Sequence, residues 1–242
     1  MKIYICDGTP KGFFTAVFTA YGESDCIITS DERIQLSLDS EVINIACDGE
    51  KSARVQTGIQ KYDAEALDDI ALVLRSGDAL KEQICFEYIK RIMAHKGSVK
   101  KAFNLPEVID FNNLLYKVTG EIHRLKGLLR FMESSGGVFY APYSPDNDIT
   151  EILMLHFTER FKSERFVIHD VKRKIAGMYD GKEWIMSYVG EAEVYLSEYE
   201  KAFETLWKQY YKSVNIEERP HDKQMKRSMP MRYWKFLPEK KQ

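Results

Sequence analysis

The sequence predicts an α+β protein in which small antiparallel sheets pack against several amphipathic helices. Three observations carry that expectation. The chain opens on a strand–turn–helix, its second half holds two hairpin signals, and between them apolar residues recur at helical spacings of three and four. With 242 residues the chain is long for one core and short for two, so one elaborated domain and two coupled subdomains both fit. A hydrophobic content of 44% is ample for a buried interior. The expected division is an N-terminal portion 1–103, a C-terminal portion 104–218 and a tail 219–242.

Residues 2–6 read as a strand, Asp7-Gly8 as a turn, and Thr9-Pro10 as a helix start, with a hydroxyl cap before a first-turn proline. Phe13, Phe14, Val17, Phe18 and Tyr21 follow at helical spacing, and Gly22 is a stop. Residues 41–47 suit a second strand, and Asp48 caps a helix to Tyr62. Acidic helices follow over 64–75 and 78–95, with Lys90, Arg91, Lys96, Lys100 and Lys101 grouped around the loop at Gly97-Ser98. Pro106 opens a helix of about five turns that ends in His123, Arg124 and Lys126.

Gly127 breaks that helix, and residues 128–133 and 138–143 form a hairpin. In a strand over 128–132, Arg130 sits among apolar neighbours and requires a carboxylate or an anionic ligand. Asp148 and Glu151 match a capping box for the next helix. There His156 and Arg160 stand four residues apart on one face. Residues 165–170 form a buried strand with Phe166, Ile168 and Asp170 on one face and Val167 and His169 on the other. Asp180-Gly181 turns a second hairpin. A helix over 192–211 places Ala192, Tyr195, Leu196, Tyr199, Phe203, Leu206 and Tyr210 in an inward stripe.

Charge is unevenly spread. Residues 219–242 hold eight Lys/Arg and two Asp/Glu, whereas the whole chain carries a net charge of -2. A basic tail suits an anionic partner and equally suits docking on the protein's own acidic body. Cys6, Cys26, Cys47 and Cys85 lie far apart, as expected of reduced, buried and inert thiols in a cytoplasmic protein. Asp7 and Lys11 interrupt any signal-like run, and no apolar segment is long enough for a membrane span. No motif calls for a cofactor or a metal.

Two chemistries compete for the polar residues. His123, His156, His169 and Asp170 are the acid–base candidates, since imidazoles titrate near neutral pH. Arg124, Lys126, Arg130, Arg160, Arg173, Arg227 and Arg232 suit phosphate, and Tyr233 and Trp234 add rings on which bases stack. Against both stand plainer readings, in which the histidines are core residues and Trp234 and Phe236 anchor the terminus.

Separated blocks then add a resemblance over nearly the whole chain. They include YICDGTPKGFFTAVFTAY, ARVQTGIQK, KVTGEIHRLKGLLRF, YAPYSPDNDI, HFTERF, VIHD, LWKQYYKSVNIEER and MPMRYWKFLPE. Together they resemble a bacterial family assigned to DNA metabolism or DNA repair. Leu125 and Leu128 depart from that family's usual Met and Phe. The resemblance implies a gene neighbour that is a radical S-adenosylmethionine protein, and a related domain fused to uracil-DNA glycosylase-like domains. It carries no catalytic set over to these residues.

The expected function is therefore a DNA-associated accessory protein that binds nucleic acid or a modified nucleotide and works with a radical S-adenosylmethionine enzyme. The alternatives are a DNA-acting hydrolase or glycosylase-like enzyme using the His/Asp groups, and a protein–protein adaptor without nucleic-acid contact.

Overall fold

The computed structural model describes residues 1–31, 33, 40–190, 195–214 and 222–240. The chain is α+β, as the sequence predicts, but its sheets are not all antiparallel. Two compact units divide it, Met1–Thr119 and Gly120–Gln242. The boundary falls inside one long helix.

In the first unit β1 (Lys2–Ile5) is flanked by β2 (Cys26–Thr29) and β3 (Glu41–Asn44), all parallel. Parallel neighbours require a crossover, supplied on one side by helix α1 (Pro10–Ala20). Thr9 caps α1 by accepting the Gly12 N–H at 3.0 Å. The four-residue strand CIIT is too short to announce itself between Asp25 and Ser30, which is why a parallel sheet was not foreseen. Asp48 caps helix α2 (Gly49–Tyr62) by accepting the amides of Glu50 and Lys51. Helices α3 (Glu65–Val73), α4 (Lys81–His95) and the start of α5 (Pro106–Leu128) complete the layer. Their apolar faces meet in one core that includes Phe13, Ile59, Ile70, Phe86, Ile89 and Phe111.

The cysteines split by environment: Cys6, Cys26 and Cys85 are buried thiols whose pKa burial raises. Cys47 is exposed, contrary to expectation, because the chain leaves β3 after Asn44 and runs along the surface to Asp48.

The second unit is built on a five-stranded mixed sheet ordered β4 (Met132–Glu133), β5 (Phe139–Tyr143), β6 (Phe166–Asp170), β7 (Ile175–Tyr179), β8 (Trp184–Tyr188). Both predicted hairpins form, although α5 continues through Gly127 and shortens the first strand to two residues. Strands β5 and β6 are parallel, joined by helix α6 (Thr150–Arg160). That helix packs on the face of Phe166, Ile168 and Gly177, where an added Cβ on Gly177 would collide with the Met154 side chain. The opposite face carries the cross-strand row Tyr140, Val167, Met178, Ile185.

Two expectations fail here. α6 has Ile149, not Asp148, at its cap position, and Ile149 supplies no side-chain cap. Tertiary contacts set the entry, for Ile149 is buried and the Thr150 hydroxyl meets Tyr143 Oη at 2.8 Å. The last long helix, α7, spans Glu200–Val214 rather than 192–211, of which 192–194 lie outside the described residues. Residues 195–197 instead run beside β4, with the Ser135 amide donating to Tyr195 O and the Ser197 amide to Glu133 O. The stripe of Tyr199, Phe203, Leu206 and Tyr210 is exposed, Tyr199 to 73%. Periodicity defines a face but not what covers it.

The tail folds as helix α8 (Asp222–Ser228) and two 3-10 turns, Met231–Phe236 and Pro238–Lys240. Tyr233 and Leu237 are its buried anchors, rather than Trp234 and Phe236. Residues 219–221 lie outside the described residues. Among the described residues no helix is long and apolar enough to cross a membrane.

Candidate functional site

The second unit gathers its charged residues around the Pro145–Asn147 loop, between β5 and α6. Leu114, Val118, Glu121 and Leu125 follow on α5 at spacings of four, three and four, so Glu121 shares the apolar stripe and is fully buried. A buried carboxylate demands donors. Glu121 takes the backbone amides of Asp146 (3.0 Å) and Asn147 (2.9 Å), the Asn147 side-chain amide (2.6 Å), Arg232 (3.2 Å) and the Tyr233 hydroxyl. Burial pushes its pKa up, but the hydrogen bonds from Tyr233, the two amides and Arg232 bring it below the ordinary glutamate value.

The loop is gripped from its other side by Arg173. Its guanidinium donates to Asp170 Oδ2 at 2.9 Å, to Pro145 O at 3.2 Å and to Asp146 O at 2.6 Å. Asp170, also fully buried, accepts the amides of Lys172 and Arg173 as well. Arg232 closes the circuit with an ion pair to Asp146 at 2.8 Å.

Arg130 meets the requirement that the sequence placed on it: Glu239 accepts its Nη2 at 2.9 Å and Gly127 O its Nη1. Trp207 Nε1 donates to the same carboxylate at 2.8 Å, and the guanidinium lies 5.1 Å from the Trp207 ring. Burial raises the Glu239 pKa, yet its own amide, Trp207 and Arg130 together hold it below the usual carboxylate value.

The remaining cations are placed differently. Arg124 and Lys126 on α5 and Arg160 on α6 have no carboxylate within ion-pair distance among the described residues. His156 brings two of them together: burial lowers its pKa, and the positive charges of Lys126 and Arg160 lower it further. Arg227 is exposed on α8 and has no ion pair among the described residues. Trp234 is engaged, its Nε1 donating to Met229 O at 2.9 Å and its ring lying 5.2 Å from the Lys240 ammonium. In the first unit three members of the basic patch are paired, Lys90 with Glu87, Arg91 with Glu107 and Lys100 with Asp69.

The acid–base candidates do not converge. Asp170 lies on the helix-covered face of β6, and His169 on the other face, where its Nδ1 is 2.7 Å from Tyr140 Oη. His156 has Lys126, Arg160 and Glu159 for charged neighbours, and His123 is exposed on α5. Reasoning from sequence overlooked Glu121, Asp146, Glu239 and Tyr140. A carboxylate inside the apolar stripe of α5 was the available signal for Glu121.

The fold and these contacts define an α+β protein whose second unit combines a buried ion network with cations that have no carboxylate partner among the described residues. The chain belongs to the DUF4130 family, a domain of unknown function, whose model matches residues 79–239. That match takes in every residue of the network. No curated protein matches the chain.

Proposed function

We propose that the protein is an accessory factor of DNA repair or DNA metabolism that binds nucleic acid, or a modified nucleotide, and works beside a radical S-adenosylmethionine enzyme. The observation that supports this most is the sorting of its cations. Arg130, Arg173 and Arg232 are neutralised by buried carboxylates and hold the fold. Lys126, Arg160 and Arg227, and the half-buried Arg124, have no carboxylate partner among the described residues and could meet an external anion. Around His156 two of them add to a local positive potential, the arrangement that attracts phosphate and releases counterions when it binds. The family resemblance supplies the DNA context and the radical enzyme.

Fluorescence anisotropy with single- and double-stranded oligonucleotides at about 50 mM and about 200 mM salt tests the reading. Affinity is expected to fall with salt, and the double variant Lys126→Ala/Arg160→Ala to reduce the salt slope by about one per lost contact on duplex DNA. Binding that is absent, or indifferent to salt, overturns it. Arg227→Ala probes the tail better than truncation, which would strip partners from Glu121 and expose Arg130.

A second reading, an adaptor without nucleic-acid contact, draws support from the aromatic face of α7, which nothing among the described residues covers. Copurification with the radical enzyme in the absence of any oligonucleotide binding would favour it.

A further inference from the structure

The open face of the five-stranded sheet holds a cleft of about 350 Å³ that has no part in the cationic reading. Its floor is Val167 and Met178, neighbours across β6 and β7, and Tyr140 and Tyr195 line it beside them. None of the described residues lining it carries a formal charge. One polar ring stands out. His169 is 2% exposed, its Nδ1 is taken by Tyr140, and its Nε2 is buried without a partner among the described residues.

Both tautomers leave that nitrogen unspent. If the Tyr140 hydroxyl donates to Nδ1, Nε2 carries a proton and lacks an acceptor. If Nδ1 donates to Tyr140, Nε2 offers a lone pair and lacks a donor. Burial raises the Tyr140 pKa, so the phenol keeps its proton. A small, largely apolar cleft with one oriented polar group is the usual make-up of a small-molecule site. Aromatic walls and a methionine floor favour a flat ring.

We propose that this cleft binds a neutral, planar nitrogen-heteroaromatic ring of nucleobase size, lying on Val167 and Met178 and hydrogen-bonded at its edge to His169 Nε2. The proposal is independent of the cationic group, for it rests on a face of the sheet opposite α6 and on uncharged residues.

The test is a titration of protein labelled with ¹⁵N in histidine, following the imidazole nitrogens, with adenine and with uracil as probes and benzene as a ring without a polar edge. The His169 Nε2 resonance is expected to shift saturably with at least one heterocycle and not with benzene. His169→Phe keeps a ring in place and removes the nitrogen, and should weaken heterocycle binding by tenfold or more. Tyr195→Ala, at an exposed position, should weaken it while leaving the His169 signal as the reporter even if the Phe variant folds poorly. A His169 resonance unmoved by either heterocycle, or affinity unchanged in both variants, overturns the proposal.

Discussion

In the first unit Tyr88 lies stacked on Phe111 at 3.7 Å within a core of Ile, Val and Phe, and its buried hydroxyl has no partner among the described residues. In the second unit Glu121 is as deeply buried, yet it gathers donors from a loop, a neighbouring side chain and the tail. The difference teaches how each part is positioned. Helices with apolar stripes find their places by packing, which tolerates an occasional misfit. A loop such as Pro145–Asn147 and a short tail have little apolar surface to offer, so a buried carboxylate with matched donors fixes them instead.

The comparison breaks most visibly at its centres. Glu121→Ala leaves the Tyr233 hydroxyl and two loop amides without that acceptor, while Arg232 keeps Asp146, and should cost about 3–5 kcal/mol. Phe111→Ala removes a fully buried ring from the other unit and should also cost about 3–5 kcal/mol. The two are told apart by optics, because Trp184, Trp207 and Trp234 all belong to the second unit. Urea unfolding followed by tryptophan fluorescence should move more for Glu121→Ala, and the far-UV signal of the first unit more for Phe111→Ala.

Acid should loosen the second unit. Glu121 and Glu239 have folded-state pKa values below the ordinary glutamate value of 4.5, so their contribution is present in full above that value. As pH falls, the unfolded chain takes up protons first, and the contribution is lost down through the depressed folded values. Tryptophan-monitored stability measured from pH 7 to pH 3 should therefore drop below about pH 4.5, and the variant Glu239→Gln should show a shallower drop.

Smaller effects sharpen the contrast. Tyr88→Phe removes a buried hydroxyl that lacks a partner, and should raise the stability of the first unit by about 1 kcal/mol in urea titration. Phe203→Ala, on the exposed face of α7, should change stability by no more than about 0.5 kcal/mol, whereas a core phenylalanine would cost several times that.

Much of the second unit was legible residue by residue. The alternation in RFVIHD separates Asp170 from His169, and the apolar setting of Arg130 demands the carboxylate that Glu239 supplies. What the sequence hides is the partner, because Glu121 and Tyr233 are 112 positions apart and no local pattern links them. The same holds for the stripe of α7. Its spacing is that of a buried face, and only the surrounding chain decides that nothing among the described residues covers it.

By itself, then, the sequence determines the α+β class, the capped helices α1 and α2, both hairpins and the two faces of β6, since each depends on residues a few positions apart. The tertiary structure alone decides that β1 and β2 run parallel, that three arginines pair with buried carboxylates while others have none among the described residues, and that His169 and Asp170 serve different surfaces. Those outcomes depend on which distant segments meet, and a buried charge or an uncovered face acquires its meaning only from what is packed against it.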